Sequence, residues 1–275
     1  MLSELIDPPA DAVSLVKNDA AEADGDTGWQ LYAYFEDAPD ADALDAALTA
    51  AGLTIGPGEA EVLADRDWVA HALEGLGVVR AGPFVVYGRH DAGKARAMEG
   101  LPIEVEANRA FGTGHHPTTA GCLEMLGRIE DAKPETLLDL GTGSGLLAIA
   151  ACRLWPQVRV VATDIDAPSV AIAEAAAEAN GVRGIVFAEA DGVDDAVRAQ
   201  GPYDLVTANI LAEPLIALAP DIADVLAPGG RVILAGLLDR QEEAVREAFL
   251  ARGLAVAGKS GEAWPILLLR QHDTP

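Results

Sequence analysis

The run TLLDLGTGSGLLAIAA, Thr136 to Ala151, constrains the fold more than any other stretch of the chain. Strand-like residues from Thr136 to Asp139 give way to glycines at 141, 143 and 145, and an apolar, alanine-rich helix follows from about Leu146. Strand, tight turn and helix start together direct backbone N–H groups into one space, where a nucleotide-like ligand can approach the main chain closely. The spacing selects among such ligands. A dinucleotide fingerprint needs G-x-G-x-x-G/A, but Leu146 follows Gly145, and the Gly-Lys-Ser/Thr of a phosphate loop is absent. S-adenosylmethionine (SAM) is therefore the expected ligand.

Around this turn, 275 residues suffice for one large core or two modest domains. Aromatic residues are only 5%, so the core must be built from Ala, Leu, Val and Ile, which suits helices layered on a sheet. Forty-four acidic against 19 basic residues give a net charge of −25, which repels phosphate backbones and argues against direct nucleic-acid binding. Cys122 and Cys152 have no metal or redox spacing and read as reduced thiols of a cytoplasmic protein. The start, MLSELIDPPADAV, lacks a signal peptide's basic and apolar regions, and no run approaches the roughly 18 to 20 apolar residues of a membrane span.

The N-terminal arm, residues 1 to 27, reads as weakly structured, and the alternation of WQLYAYF predicts a half-buried strand from Trp29 to Phe35. A helix over 41–51, a strand near 59–63, a helix over 68–76 and a strand over 84–87 complete a small α+β, ferredoxin-like domain. Its boundaries are set at 1–90, with a linker over 91–106 that follows the polar, partly helical GRHDAGKARAMEG and includes an extended segment from Leu101 to Ala107, and the ligand-binding domain over 107–275. Up to Asp67 there are 16 acidic and 2 basic residues, net −14, either a solvated face or a docking surface for a basic macromolecule. From Leu137 onward strands and helices alternate, with strands near 158–163, 184–188, 203–208 and 231–235. Two last strands, near 254–257 and 266–270, are too close together for a helical crossover and are expected to form an antiparallel pair at the sheet edge. Seven strands in this rhythm make a doubly wound, Rossmann-like α/β sheet.

Ligands of such sheets bind beyond the carboxyl ends of the strands, where the candidate residues fall. Gly141 and Gly143 bring backbone against the ligand, and Asp164, ending the second strand, can accept hydrogen bonds from both ribose hydroxyls. Asp191, after the third strand, either faces the adenine amino group or serves its Asp-Gly turn. Asn209 ends the fourth strand with both donor and acceptor to offer an incoming nucleophile. In AFGTGHHPTT, Thr118 or Thr119 can cap a helix starting near Ala120, and a threonine hydroxyl facing the cavity can hold the SAM amino-acid moiety. His115 and His116 are adjacent and share no face, and no further ligand stands at metal spacing, so no metal is expected.

Four segments, AFGTGHHPTT (110–119), LLDLGTGSGLLAIAA (137–151), TDID (163–166) and DLVTANILAEPL (204–215), resemble the PrmA family, the bacterial methyltransferases of large-subunit ribosomal protein L11. The resemblance covers residues 107–240. It implies a class I methyltransferase fold, a separate N-terminal domain that recognises the substrate, and methylation of lysine ε-amino and N-terminal α-amino groups. It carries SAM contacts onto Thr119, Gly141, Asp164 and Asn209. The expected partner is thus a basic ribosomal protein, met by a monomer away from any membrane.

Catalysis then requires alignment of an unprotonated amine with the methyl group, and Asn209 is expected to orient that amine rather than to act as a base. The sequence offers no carboxylate pair or other general base. Other readings stay open: a class I methyltransferase with another protein or a small molecule as substrate, or a non-catalytic SAM-binding module. A glutamine or adenine methyltransferase would carry Asn/Asp-Pro-Pro-aromatic where this chain has Asn209-Ile210-Leu211-Ala212. A nicotinamide dehydrogenase shares the carboxylate at Asp164 but not the glycine spacing.

Overall fold

The computed structural model describes residues 12–17, 29–34, 77–106, 114 and 116–271. The chain divides into two compact units, Met1–Arg66 and Asp67–Pro275. In the first, β1 (Ala12–Lys17) pairs antiparallel with β2 (Trp29–Tyr34), Ala12 opposite Tyr34 and Lys17 opposite Trp29. The alternating run thus forms its strand, and the arm ahead of it supplies the partner strand. The expected helices over 41–51 and 68–76, the strand near 59–63 and the rest of the ferredoxin-like arrangement lie outside the described residues.

The second unit opens with a three-stranded sheet of β3 (Val79–Ala81), β4 (Phe84–Tyr87) and β5 (Leu101–Glu104). A short helix, α1 (Ala92–Ala95), connects β4 to β5, which run parallel. The segment 91–106 read as a linker is therefore built into this unit. Its polar stretch forms the crossover, while Ile103 and Val105 share one face and enter the core with Phe84 and Val86. Asn180 fixes the end of β5: its Oδ1 accepts from Glu104 N at 2.9 Å and its Nδ2 donates to Glu104 O at 2.6 Å.

The main sheet has seven strands: β6 (Thr136–Leu140), β7 (Arg159–Asp164), β8 (Ile185–Glu189), β9 (Tyr203–Asn209), β10 (Leu226–Ala235), β11 (Leu254–Ser260) and β12 (Ile266–Gln271). Their order is β11-β12-β10-β9-β6-β7-β8. All run parallel except β12, which lies antiparallel between β10 and β11. The helices are α2 (Pro117–Arg128), α3 (Leu146–Leu154), α4 (Ala167–Ala179), α5 (Asp195–Gln200), α6 (Ala212–Asp224) and α7 (Glu242–Leu250).

Strand alternation divides the core in two. Leu137, Leu205 and Ile233 pack with α2 and α3 on one face, while Leu138, Val206 and Leu234 pack with α6 and α7 on the other. Being covered on both faces, the strands read as nearly continuous apolar runs. Two elements escape the sequence pattern. Helix α5 buries only Val197 and starts on a cap, Asp194 accepting from Val197 N at 2.8 Å. Strand β10 begins at Leu226, with its register broken before Arg231 where Pro228, Gly229 and Gly230 intervene.

Helix α2 starts three residues earlier than expected, with Pro117 in its first turn and His116 as the N-cap. Thr118 and Thr119 are therefore not caps but buried first-turn residues. His116 Nδ1 lies 2.7 Å from Thr118 Oγ1, and its ring meets that of Trp264 edge-on at 4.8 Å.

Candidate functional site

The strand order reverses between β6 and β9, so chain leaving these two strands diverges to opposite faces and opens a crevice beyond their carboxyl ends. A cavity of about 430 Å³ lies there. Thr119, Gly141, Gly143, Asp164, Asp191 and Asn209 all line it, brought together from α2, the glycine turn and the ends of β7, β8 and β9.

At Gly141 the backbone has φ +70°, and a Cβ would stand 2.3 Å from Ile210 Cγ2. The left-handed backbone favours glycine here, and any Cβ would have to displace the Ile210 side chain. The N–H of Gly143 donates to Asp164 Oδ2 at 2.9 Å, and the N–H of Asp166 donates to Oδ1 at 3.1 Å. Each carboxylate oxygen holds one backbone partner and retains capacity for a hydroxyl donor. This geometry, flanked by Leu140, Ile165 and Leu218 for an apolar ring, fits the nucleoside of SAM. Asp164→Ala should weaken SAM binding by about 10- to 100-fold, since hydrogen bonds to a charged group are lost and Gly143 N–H is orphaned. Calorimetric titration with SAM checks this; unchanged affinity removes Asp164 from the site.

Asn209 sits at the last position of β9. Its Nδ2 donates to Thr119 Oγ1 at 3.1 Å, a contact across 90 positions of sequence. Thr119 is only 1% exposed, and its hydroxyl oxygen accepts this bond. The bond orients the amide: Oδ1 is left buried and without a partner in the described structure. A buried carbonyl of this kind costs free energy while it stays unpaired, and the residue that carries it lines the crevice.

Asp139, which sequence reading passed over, is the buried carboxylate behind the site. It is 1% exposed and accepts from Thr142 Oγ1 at 2.7 Å and Thr207 Oγ1 at 2.6 Å, tying the glycine turn to β9 two residues before Asn209. Burial pushes its pKa above the ordinary carboxylate value, opposed by the two hydroxyls and a backbone hydrogen bond from the start of α3. A raised folded-state pKa gives stability that is present below the ordinary value and is lost as pH rises through the raised one. The stability of the wild type relative to Asp139→Asn should therefore fall as pH rises from the acid range to neutrality. Urea unfolding across pH measures it, and a flat difference would contradict the raised pKa.

The crevice also gathers Ile210 and Leu211, which the sequence reading used only to exclude a Pro-Pro-aromatic motif, and Pro214 and Leu218, which it did not single out. Their signal was the spacing of 211, 214 and 218, one face of a helix that starts at the site. Among the described residues no group of three His, Cys, Asp or Glu could hold a metal ion, and no helix is long and apolar enough to cross a membrane.

The family described as ribosomal protein L11 methyltransferase (PrmA) matches residues 9–271 of the chain. The ribosomal protein L11 methyltransferase of Brucella abortus (strain S19) is 48% identical over 231 residues, covering 82% of this chain and 79% of that protein. The protein of the same name from Rhizobium meliloti (strain 1021) is 51% identical over 201 residues, covering 72% and 68% respectively. The crystal structure of ribosomal protein L11 methylase from Lactobacillus delbrueckii subsp. bulgaricus matches with a TM-score of 0.62 at 33% identity, over 71% of this chain and 100% of that one. With the switch-point crevice, the G-x-G-x-G turn and the doubly wound sheet already in view, these matches are decisive: the chain belongs to the ribosomal protein L11 methyltransferase family, enzymes that use SAM as methyl donor.

Proposed function

We propose that the protein methylates ribosomal protein L11 on lysine ε-amino and N-terminal α-amino groups, with Asn209 orienting the accepting amine. The observation that carries this is the Asn209 carbonyl, locked by Thr119 and left without a donor beside the glycine turn. Bound SAM supplies a methyl group on a sulfonium, a good leaving group, so the protein's task is positioning. Gly141, Gly143, Asp164 and Thr119 would hold the donor.

A lysine amine has an ordinary pKa of about 10.4 and must lose a proton before it can act as a nucleophile. The apolar lining around Asn209, made by Ile210, Leu211 and Pro214, favours the neutral amine by desolvation. Asn209 Oδ1 accepts one N–H of that neutral amine and so directs its lone pair. An amide accepts without adding charge, whereas a carboxylate would stabilise the ammonium form. The acidic segment up to Asp67, net −14, suits attraction of a basic substrate in the cytoplasm, with a monomer as the working form and the residues ahead of the catalytic unit as the recognition module.

The test is incubation with methyl-labelled SAM and ribosomal proteins from cells lacking the modification. Label is expected on L11; label on another protein overturns the substrate, and SAM binding without labelling favours a non-catalytic module.

A further inference from the structure

We infer that Leu211 contacts the substrate, forming the surface on which the aliphatic stem of the target lysine lies while its amine reaches Asn209. The inference rests on the reading that lysine amines are the acceptors. Leu211 is 73% exposed, the most exposed large hydrophobic residue among those described, yet it lines the crevice two residues after Asn209.

Its place in the chain is also the wrong one for leucine on local grounds. Leu211 is the N-cap of α6, with extended backbone (φ −63°, ψ 155°), and its carbonyl accepts from Leu215 N at 3.2 Å. That position favours Ser, Thr, Asp or Asn, whose side chains satisfy a free N–H of the first turn, and Leu211 makes no such bond. It belongs to neither core cluster. The residue therefore gives up capping and burial alike in the free protein, and such local inconsistencies are expected where function is served.

The ligand chemistry follows from the surroundings. Pro214, three residues on along α6, continues the apolar face, and Asn209, two residues before Leu211, supplies the polar group. A lysine side chain has the matching form, four methylenes carrying one nitrogen.

Methyl transfer to unmethylated L11, SAM affinity by calorimetry and melting temperature are measured for the full chain, Leu211→Ser and Leu211→Met. Serine should lower kcat/KM for L11 by about tenfold through lost apolar contact. SAM affinity should stay unchanged, and the melting temperature should hold or rise by about 2 to 4 °C because a cap is gained. Methionine, apolar and of similar volume, should stay within about twofold of wild type. Unchanged kcat/KM in the serine variant overturns the inference, as does a loss matched by weaker SAM binding or a lower melting temperature, or an equal loss with methionine. Failure of the functional reading is distinct: it shows as absence of label on L11 with the wild-type protein, which overturns both.

Discussion

Asn209→Ala should lower methyl transfer by about 100- to 1,000-fold while SAM affinity stays within about tenfold. The side chain donates to Thr119, and its unpaired Oδ1 is, on the proposed function, the acceptor for the amine. Alanine removes both. The amine then loses the hydrogen bond that fixes its lone pair, and the donor keeps Asp164 and the glycine turn. Single-turnover transfer of labelled methyl, alongside calorimetric titration with SAM, separates the two effects. A variant that transfers at the wild-type rate once saturated with SAM would show Asn209 to be part of the donor site alone.

The second large effect is expected away from any ligand. Gly236, just beyond β10, has φ +88°, and a Cβ there would lie 2.2 Å from Ile210 O and 2.7 Å from Ile210 C. A backbone carbonyl cannot rotate aside as a side chain can. Gly236→Ala should destabilise the protein by about 3 kcal/mol, the sum of a left-handed alanine and a forced shift of the 209–211 segment. The fraction that folds should turn over more slowly, because that segment carries Asn209. Gly141→Ala meets the same residue at Ile210 Cγ2, the end of a side chain that can change rotamer, and should be the milder variant. Chemical denaturation of the pair ranks them; equal stability would mean that the 210 peptide yields freely.

These two cases mark what the sequence disclosed and what it withheld. The crevice was legible because G-x-G-x-G, Asp164 and Asn209 each lie at the carboxyl end of a strand, and these ends converge in a doubly wound sheet whatever the intervening loops. The antiparallel β11–β12 pair was legible from its short connection. Asp139 was not, since a buried carboxylate inside TLLDL reads as one more strand residue until Thr207, 68 positions away, arrives beside it. The partnership of Thr119 with Asn209 and the pressure of Gly236 on Ile210 were hidden for the same reason: each is a contact between elements, and periodicity describes only one element at a time. The extended character from Leu101 was legible and is the strand β5, but the polar stretch GRHDAGKARAMEG ahead of it drew the linker bounds over both.

The edge-on meeting of His116 and Trp264 gives the molecule an optical handle. His116 caps the helix whose first turn carries Thr119, so the indole packs against the same helix end that holds the partner of the Asn209 amide. With Trp29, Trp68 and Trp155 replaced, Trp264 would be the sole emitter, and its fluorescence would report in real time each displacement of that helix as donor and acceptor come and go.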